Sequence, residues 1–179
     1  STRIIYSAED IEQIQDKEGI TSVICDFDYP DEKIQLTGFP NLRYVSVSGC
    51  KVKQIICEKC DNLEVVYINK NDALEHVTCE SAHFRTFIVY GLPALRTLDI
   101  KEVVYEGTAP EVDFTLEVQN CGLETLDVQK CPNLHGLAVT NNNNLKKIVM
   151  NRVTKIDAFY TSRNSPFDIT QKDVGAVEE

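Results

Sequence analysis

Apolar residues recur along the chain in short triads, each starting ten or eleven residues after the last. Leu42, Val45, Val47 and Cys50 form one unit, and Val52, Ile55, Cys57 and Cys60 the next. Leu63, Val66, Ile68 and Asn71 follow, then Leu74, Val77 and Cys79, then Phe84, Phe87 and Val89, then Leu95, Leu98 and Ile100. After an interruption the series resumes at Leu116, Val118 and Cys121. It continues through Leu123, Leu126, Val128 and Cys131, through Leu134, Leu137, Val139 and Asn142, and through Leu145, Ile148 and Met150. Ile20, Val23 and Cys25 fit the same pattern, Ile34, Leu36 and Phe39 fit it without the leading residue, and Val153 and Ile156 read as a frayed last unit. The internal repeat decides the architecture.

Within a unit the last two apolar positions alternate with polar ones, which predicts a short strand buried on one face. A helix of ten or more residues does not fit between strands recurring this often. Asn, Asp, Gly, Pro and Lys gather between the triads, at Gly38 to Asn41, Asn69 to Asp72 and Asn141 to Asn144, and predict turns. A unit this short cannot bury its own apolar edge and must stack on copies of itself. A buried Asn at a corner, such as Asn71 or Asn142, satisfies backbone groups that the turn leaves without strand partners. Cys does so only weakly, so the Cys corners are expected to be held less firmly.

Three segments follow. Residues 1–19 are an N-terminal cap: a strand from Ile4 to Tyr6, then a helix from Ala8 to Lys17 opened by the Ser7-Ala8-Glu9-Asp10 box. Residues 20–161 are the solenoid, with an insertion at 101–113. Residues 162–179 are a C-terminal cap and tail, where Phe167 and Ile169 close the last coil and Val174 to Glu179 fray.

The run Leu123-Glu124-Thr125-Leu126-Asp127-Val128-Gln129-Lys130-Cys131-Pro132-Asn133-Leu134 and its continuation to Asn142 resembles bacterial leucine-rich repeats of 21 to 22 residues. Such repeats occur in Bacteroidetes surface proteins and cysteine-ladder internalins. The resemblance covers roughly residues 20 to 158 and departs where Cys replaces the ladder Asn and where one coil is interrupted. It implies a β-rich, right-handed leucine-rich-repeat solenoid with two short strands per coil of about 22 residues, six to seven coils in all, about 30 Å long. It also implies a secreted or cell-surface location, which the residues themselves do not name. A receptor-L-type β-helix is the nearest competing architecture.

Net charge is -10. That argues against a nucleic-acid backbone or an anionic membrane, since both reward clustered Lys and Arg. No apolar run approaches the roughly 18 residues a membrane span needs. The seven cysteines cannot all pair internally.

Cys57-Glu58-Lys59-Cys60 is a C-x-x-C, which alone would suggest a redox dithiol or half a zinc site. In the repeat, Cys57 falls on the inward position also taken by Val47 and Ile68, Cys79 falls on it one coil later, and Cys60 takes the place of Asn71. These read as core and corner thiols. His76, His83 and His135 are not at metal-ligand spacing, and no metal or cofactor is expected. Glu64, Glu75, Asp99, Glu117, Glu124 and Asp127 read as a solvated outward row in which a glycosidase pair could sit. Tyr44, Val65, Tyr67 and Ile88 project outward from successive coils, as a partner-binding patch would. The sequence therefore reads as a non-enzymatic binding module for a protein or glycan partner. The alternatives are a spacer of a longer surface protein, a glycan-active enzyme, or a thiol oxidoreductase using Cys57 and Cys60.

Overall fold

The computed structural model describes residues 1–27, 30–105 and 113–172. The middle of the insertion and the Val174–Glu179 tail lie outside the described residues. The chain opens with β1 (Thr2–Ile5), α1 (Ala8–Glu12), a 3-10 turn at Lys17–Gly19 and β2 (Ser22–Cys25). Next come β3 (Pro30–Thr37), β4 (Tyr44–Ser48), β5 (Lys51–Glu58), β6 (Val65–Asn69), β7 (His76–Ser81) and β8 (Thr86–Leu92). β9 (Thr97–Glu102), β10 (Phe114–Cys121), β11 (Thr125–Asp127), β12 (Leu134–Thr140), β13 (Lys147–Asn151), β14 (Ala158–Ser162) and β15 (Asp168–Lys172) complete it.

These strands coil into a β-solenoid. One side is a continuous eight-stranded parallel sheet, β1-β2-β4-β6-β8-β10-β12-β14, called here the long sheet. The other side is two shorter parallel sheets, β3-β5-β7-β9 and β11-β13-β15. Away from the two ends the inward rows are apolar: Val23, Val45, Val66, Phe87, Leu116 and Leu137 stack in register on the long sheet. Leu36, Cys57, Cys79 and Ile100 do so opposite. One contiguous core runs from Ile5 to Met150, and each fully buried Leu or Val in it is worth about 1.5–3 kcal/mol.

The stack has about eight turns, more than the six to seven expected, because the ladder runs past residues 20 and 161 at both ends. The terminal strands lack the apolar alternation: Arg3, Thr161 and Gln171 stand on inward rows. An end row faces one neighbouring coil, so it can hold polar residues. α1 is also shorter than expected. The Asp16 carboxylate accepts from Gly19 N–H at 3.1 Å and starts a new turn, while Ile11 and Ile14 are buried. Asp10 fills the expected box role, accepting from the backbone N–H groups of Tyr6 and Ser7.

No ladder joins β9 to β11. The corner after β10 is one residue shorter than its neighbours. There Gly122 is required, because a Cβ would stand 2.1 Å from the Pro93 carbonyl oxygen. Across the break, Glu102 N–H donates to Lys130 C=O at 3.0 Å, and the buried Glu102 carboxylate accepts from Asn133 N–H and Nδ2 at 2.8 and 3.0 Å.

Candidate functional site

The outward rows of the long sheet read, in register, Ile4, Ile24, Ser46, Tyr67, Ile88, Glu117, Ala138 and Tyr160 along the middle. Thr2, Ser22, Tyr44, Val65, Thr86 and Thr115 lie on one flank, and Ser48, Asn69, Tyr90, Gln119, Thr140 and Ser162 on the other. Glu117 is their one carboxylate, and they hold no lysine or arginine. On a chain of net charge -10, this face is nearly uncharged.

The four expected patch residues come together here. Tyr44 pairs with Val65 and Tyr67 with Ile88 across adjacent strands, and all four are half-buried. The Tyr44 and Tyr67 rings meet edge to face at 5.7 Å, an arrangement favoured by the ring quadrupole. Tyr90 extends the patch and was missed in the sequence. It lies one strand across and two residues along from Tyr67, as Tyr67 does from Tyr44, and Lys70 Nζ stands 5.9 Å from its ring. That constant diagonal step is the signal that could have found it.

The expected row of carboxylates does not form. Glu117 is on the long sheet, while Asp99 and Asp127 are on the opposite sheets. Glu64, Glu75 and Glu124 sit just before strands, in two columns of paired polar groups. In the first, Glu64 lies between Arg43 and Arg85 at 3.6 and 3.5 Å, and the His135 ring, a cation only when protonated, lies between Asp113 and Asp157 at 3.7 and 3.2 Å. In the second, Glu32–Lys53, Glu75–Arg96 and Glu124–Lys146 pair at 3.8, 3.7 and 2.6 Å, while Asp168 stands in register with Lys147 on the adjoining strand row. Hydrogen bonding to Lys146 and its charge hold the Glu124 carboxyl below its usual range. Solvent-exposed pairs like these add little stability each, but a like charge one coil away would be repulsive.

All seven thiols are free and buried. Cys57 stands in register with Cys79 on the next coil, and its interaction with that thiol together with burial drives its own thiol well up. Cys60 points instead into a corner, donating to the carbonyls of Glu58 and Leu36 at 3.3 and 3.6 Å. Burial pushes Cys60 and Cys121 up to about 12 and Cys131 well above the usual thiol range. The C-x-x-C residues therefore occupy different environments. His76 contacts Thr97 Oγ1 at 2.8 Å and His83 contacts Asp61 C=O at 2.7 Å. Among the described residues no group of three His, Cys, Asp or Glu is placed to hold a metal ion, and no helix is long and apolar enough to cross a membrane.

Concavities open on the other surfaces, one of about 480 Å³ beside α1 and β3 among them. A groove of about 1050 Å³ follows the corner past Asp72, Pro93, Gly122 and Asn143, where the short turn leaves a notch. A cleft of about 330 Å³ lies between β9 and β11, with Leu98, Asp99, Thr125 and Lys130 on its walls. No protein-family model, curated protein or solved structure matches the chain.

Proposed function

We propose that this chain is a non-enzymatic binding module that presents the outer face of the long sheet to a protein or glycan partner, with Tyr44, Val65, Tyr67 and Ile88 at the centre of contact. We read it as a right-handed solenoid of leucine-rich-repeat type, with β1 and α1 as its N-terminal cap and buried Cys and Asn as a corner ladder. The observation that carries the function is the contrast between a nearly uncharged, tyrosine-bearing strand face and an otherwise acidic surface. Stacked strands hold that face ready-made, so binding need not order it. Tyrosine gives large contact area with few rotatable bonds and is enriched at interface centres. Against a thiol oxidoreductase stand the depth of the cysteines and the upward push on their thiols, since the thiolate is the reactive form.

The test is capture by the intact protein, compared across surface variants. Tyr67→Asp and Ile88→Asp should each abolish retention of any specific partner, whereas Glu80→Lys on the opposite sheet should leave it intact. Retention unchanged by Tyr67→Asp would remove the patch.

A further inference from the structure

The middle outward row of the long sheet is palindromic in hydropathy. From β1 to β14 it runs Ile4, Ile24, Ser46, Tyr67, Ile88, Glu117, Ala138 and Tyr160. Two apolar residues, one polar, two apolar, one polar and two apolar follow each other, symmetric about the line between β6 and β8. The core does not impose this order, because these side chains point away from it. Ile4 and Tyr160 are 47% and 62% exposed.

A surface that matches itself when reversed is what a two-fold contact between identical chains requires. We propose that the outer face of the long sheet packs against the same face of a second copy, about a two-fold axis parallel to the strands and passing between β6 and β8. This rests on the reading of that face as the binding surface, and names its partner.

The axis sets Tyr67 opposite the partner's Ile88, Ile24 opposite the partner's Ala138, and Ile4 opposite the partner's Tyr160. Ser46 meets the partner's Glu117, where its hydroxyl can donate to the carboxylate. On one flank Asn69 comes opposite the partner's Tyr90 and Ser48 opposite the partner's Gln119, so amides meet hydroxyls. At the rim Glu64, in register with Arg85 of its own chain, comes opposite the partner's Arg85. Each contact occurs twice. A two-fold along the solenoid axis instead sets Glu117 against its own copy, a like-charge contact inside an apolar row.

Charge and area fit the same partner. Two copies of a chain with net charge -10 repel wherever their acidic surfaces meet, and Glu117 is the one carboxylate on these rows. The outward rows span five residues from Tyr44 to Ser48, about 17 Å, and eight strands give a length of about 38 Å. The contact therefore covers roughly 650 Å² per copy and about 1,300 Å² in all, within the range of specific interfaces. Facing sheets lie about 10 Å apart, close enough for Tyr67 and the partner's Ile88 to interdigitate.

Sedimentation equilibrium on the full chain, from about 1 to 500 μM, tests this. A monomer–dimer equilibrium is expected. Ser46→Glu sets carboxylates face to face at both symmetry-related contacts and should weaken dimerisation at least about tenfold. Adding Glu117→Lys should restore it to within about threefold of wild type. Within one copy Ser46 and Glu117 stand three strand spacings apart, about 14 Å. Rescue can therefore pass only between copies, and loss of folding cannot produce it. A chain monomeric throughout, a Ser46→Glu variant that dimerises like wild type, or a double variant that is not rescued overturns the proposal. The binding-face reading is judged separately. If the chain is monomeric, a glycan or a different protein whose retention Tyr67→Asp abolishes keeps that face as the binding surface, and retention indifferent to Tyr67→Asp removes it as well.

Discussion

Replacing Asn142 with alanine removes more than a side chain, because this amide joins three coils. Its Nδ2 donates to Val118 C=O at 3.0 Å and its Oδ1 accepts from Cys121 N–H at 2.9 Å, both in the coil before, while its own N–H donates to Asn164 Oδ1 in the coil after. Asn142 is fully buried, so the variant leaves the Cys121 amide without this acceptor and takes one donor from the Val118 carbonyl, which also lies in the β10–β12 ladder. The stranded amide costs about 1–3 kcal/mol and the lost bond to Val118 about 1 kcal/mol, giving a loss of about 2–4 kcal/mol. Cys121 gives the contrast: its Sγ donates to Gln119 C=O at 3.4 Å, and Cys121→Ala should cost about 1 kcal/mol or a little more. Asn142→Cys falls between, since a thiol can donate to Val118 but accepts poorly from Cys121 N–H. Urea denaturation followed by circular dichroism measures the order, and hydrogen exchange at the Cys121 amide localises it. An Asn142→Ala variant within about 0.5 kcal/mol of wild type, or a Cys121→Ala loss of equal size, would refute the corner argument.

Three further outcomes are expected. Gly122→Ala drives a Cβ into the Pro93 carbonyl; the backbone must move, for about 1–3 kcal/mol or more, and the melting temperature should fall by several degrees. An unchanged melt would mean that the corner relaxes freely. Burial raises the Glu102 carboxyl, although hydrogen bonds from Asn133 pull it back part of the way. The folded chain thus holds that proton after the unfolded chain has released it, so this contribution is present at low pH and lost as pH rises through the raised value. Glu102→Gln should match wild type in acid and gain on it as pH climbs above the ordinary carboxyl range; a constant difference across that window contradicts the reading. A disulfide reagent added to the native chain should modify all seven cysteines slowly, and a single thiol reacting within seconds would reopen the oxidoreductase alternative.

The inward positions were readable because burial on a strand imposes a period of two, and the corner spacing imposes the coil. Leu42, Val45, Val47 and Cys50 obey both rules, and all are fully buried. What escaped follows from rules that act between coils and not within one. The break between β9 and β11 goes with the shortness of the Cys121-Gly122-Leu123 corner, a one-residue change that leaves the apolar positions in place. The strand at Ile4 was expected, but its pairing in the long sheet escaped, as did β14 and β15, because terminal rows can hold Arg3, Thr161 or Gln171. The carboxylates looked like one face because each stands beside a strand, but being just before a strand and being on it are different surfaces. Glu64 and Glu124 belong to the corner columns, and Asp99 to a strand. The tyrosine patch was legible because its members are outward in every register that keeps the core inside.

The placement of that break bears on how the scaffold works. In a solenoid each coil touches its neighbours alone, so rigidity is only as good as the weakest junction. At the junction of β9 and β11 one of the two sheets is interrupted, and continuity passes to the long sheet, where β8, β10 and β12 pair without a gap apart from the shift at Phe114 and Thr115. Glu102 and Asn133 tie the other side. The patch of Tyr44, Tyr67 and Ile88 lies wholly on β4, β6 and β8, before the break. Loosening the junction through Glu102 should therefore alter the angle between the two blocks while leaving the patch intact.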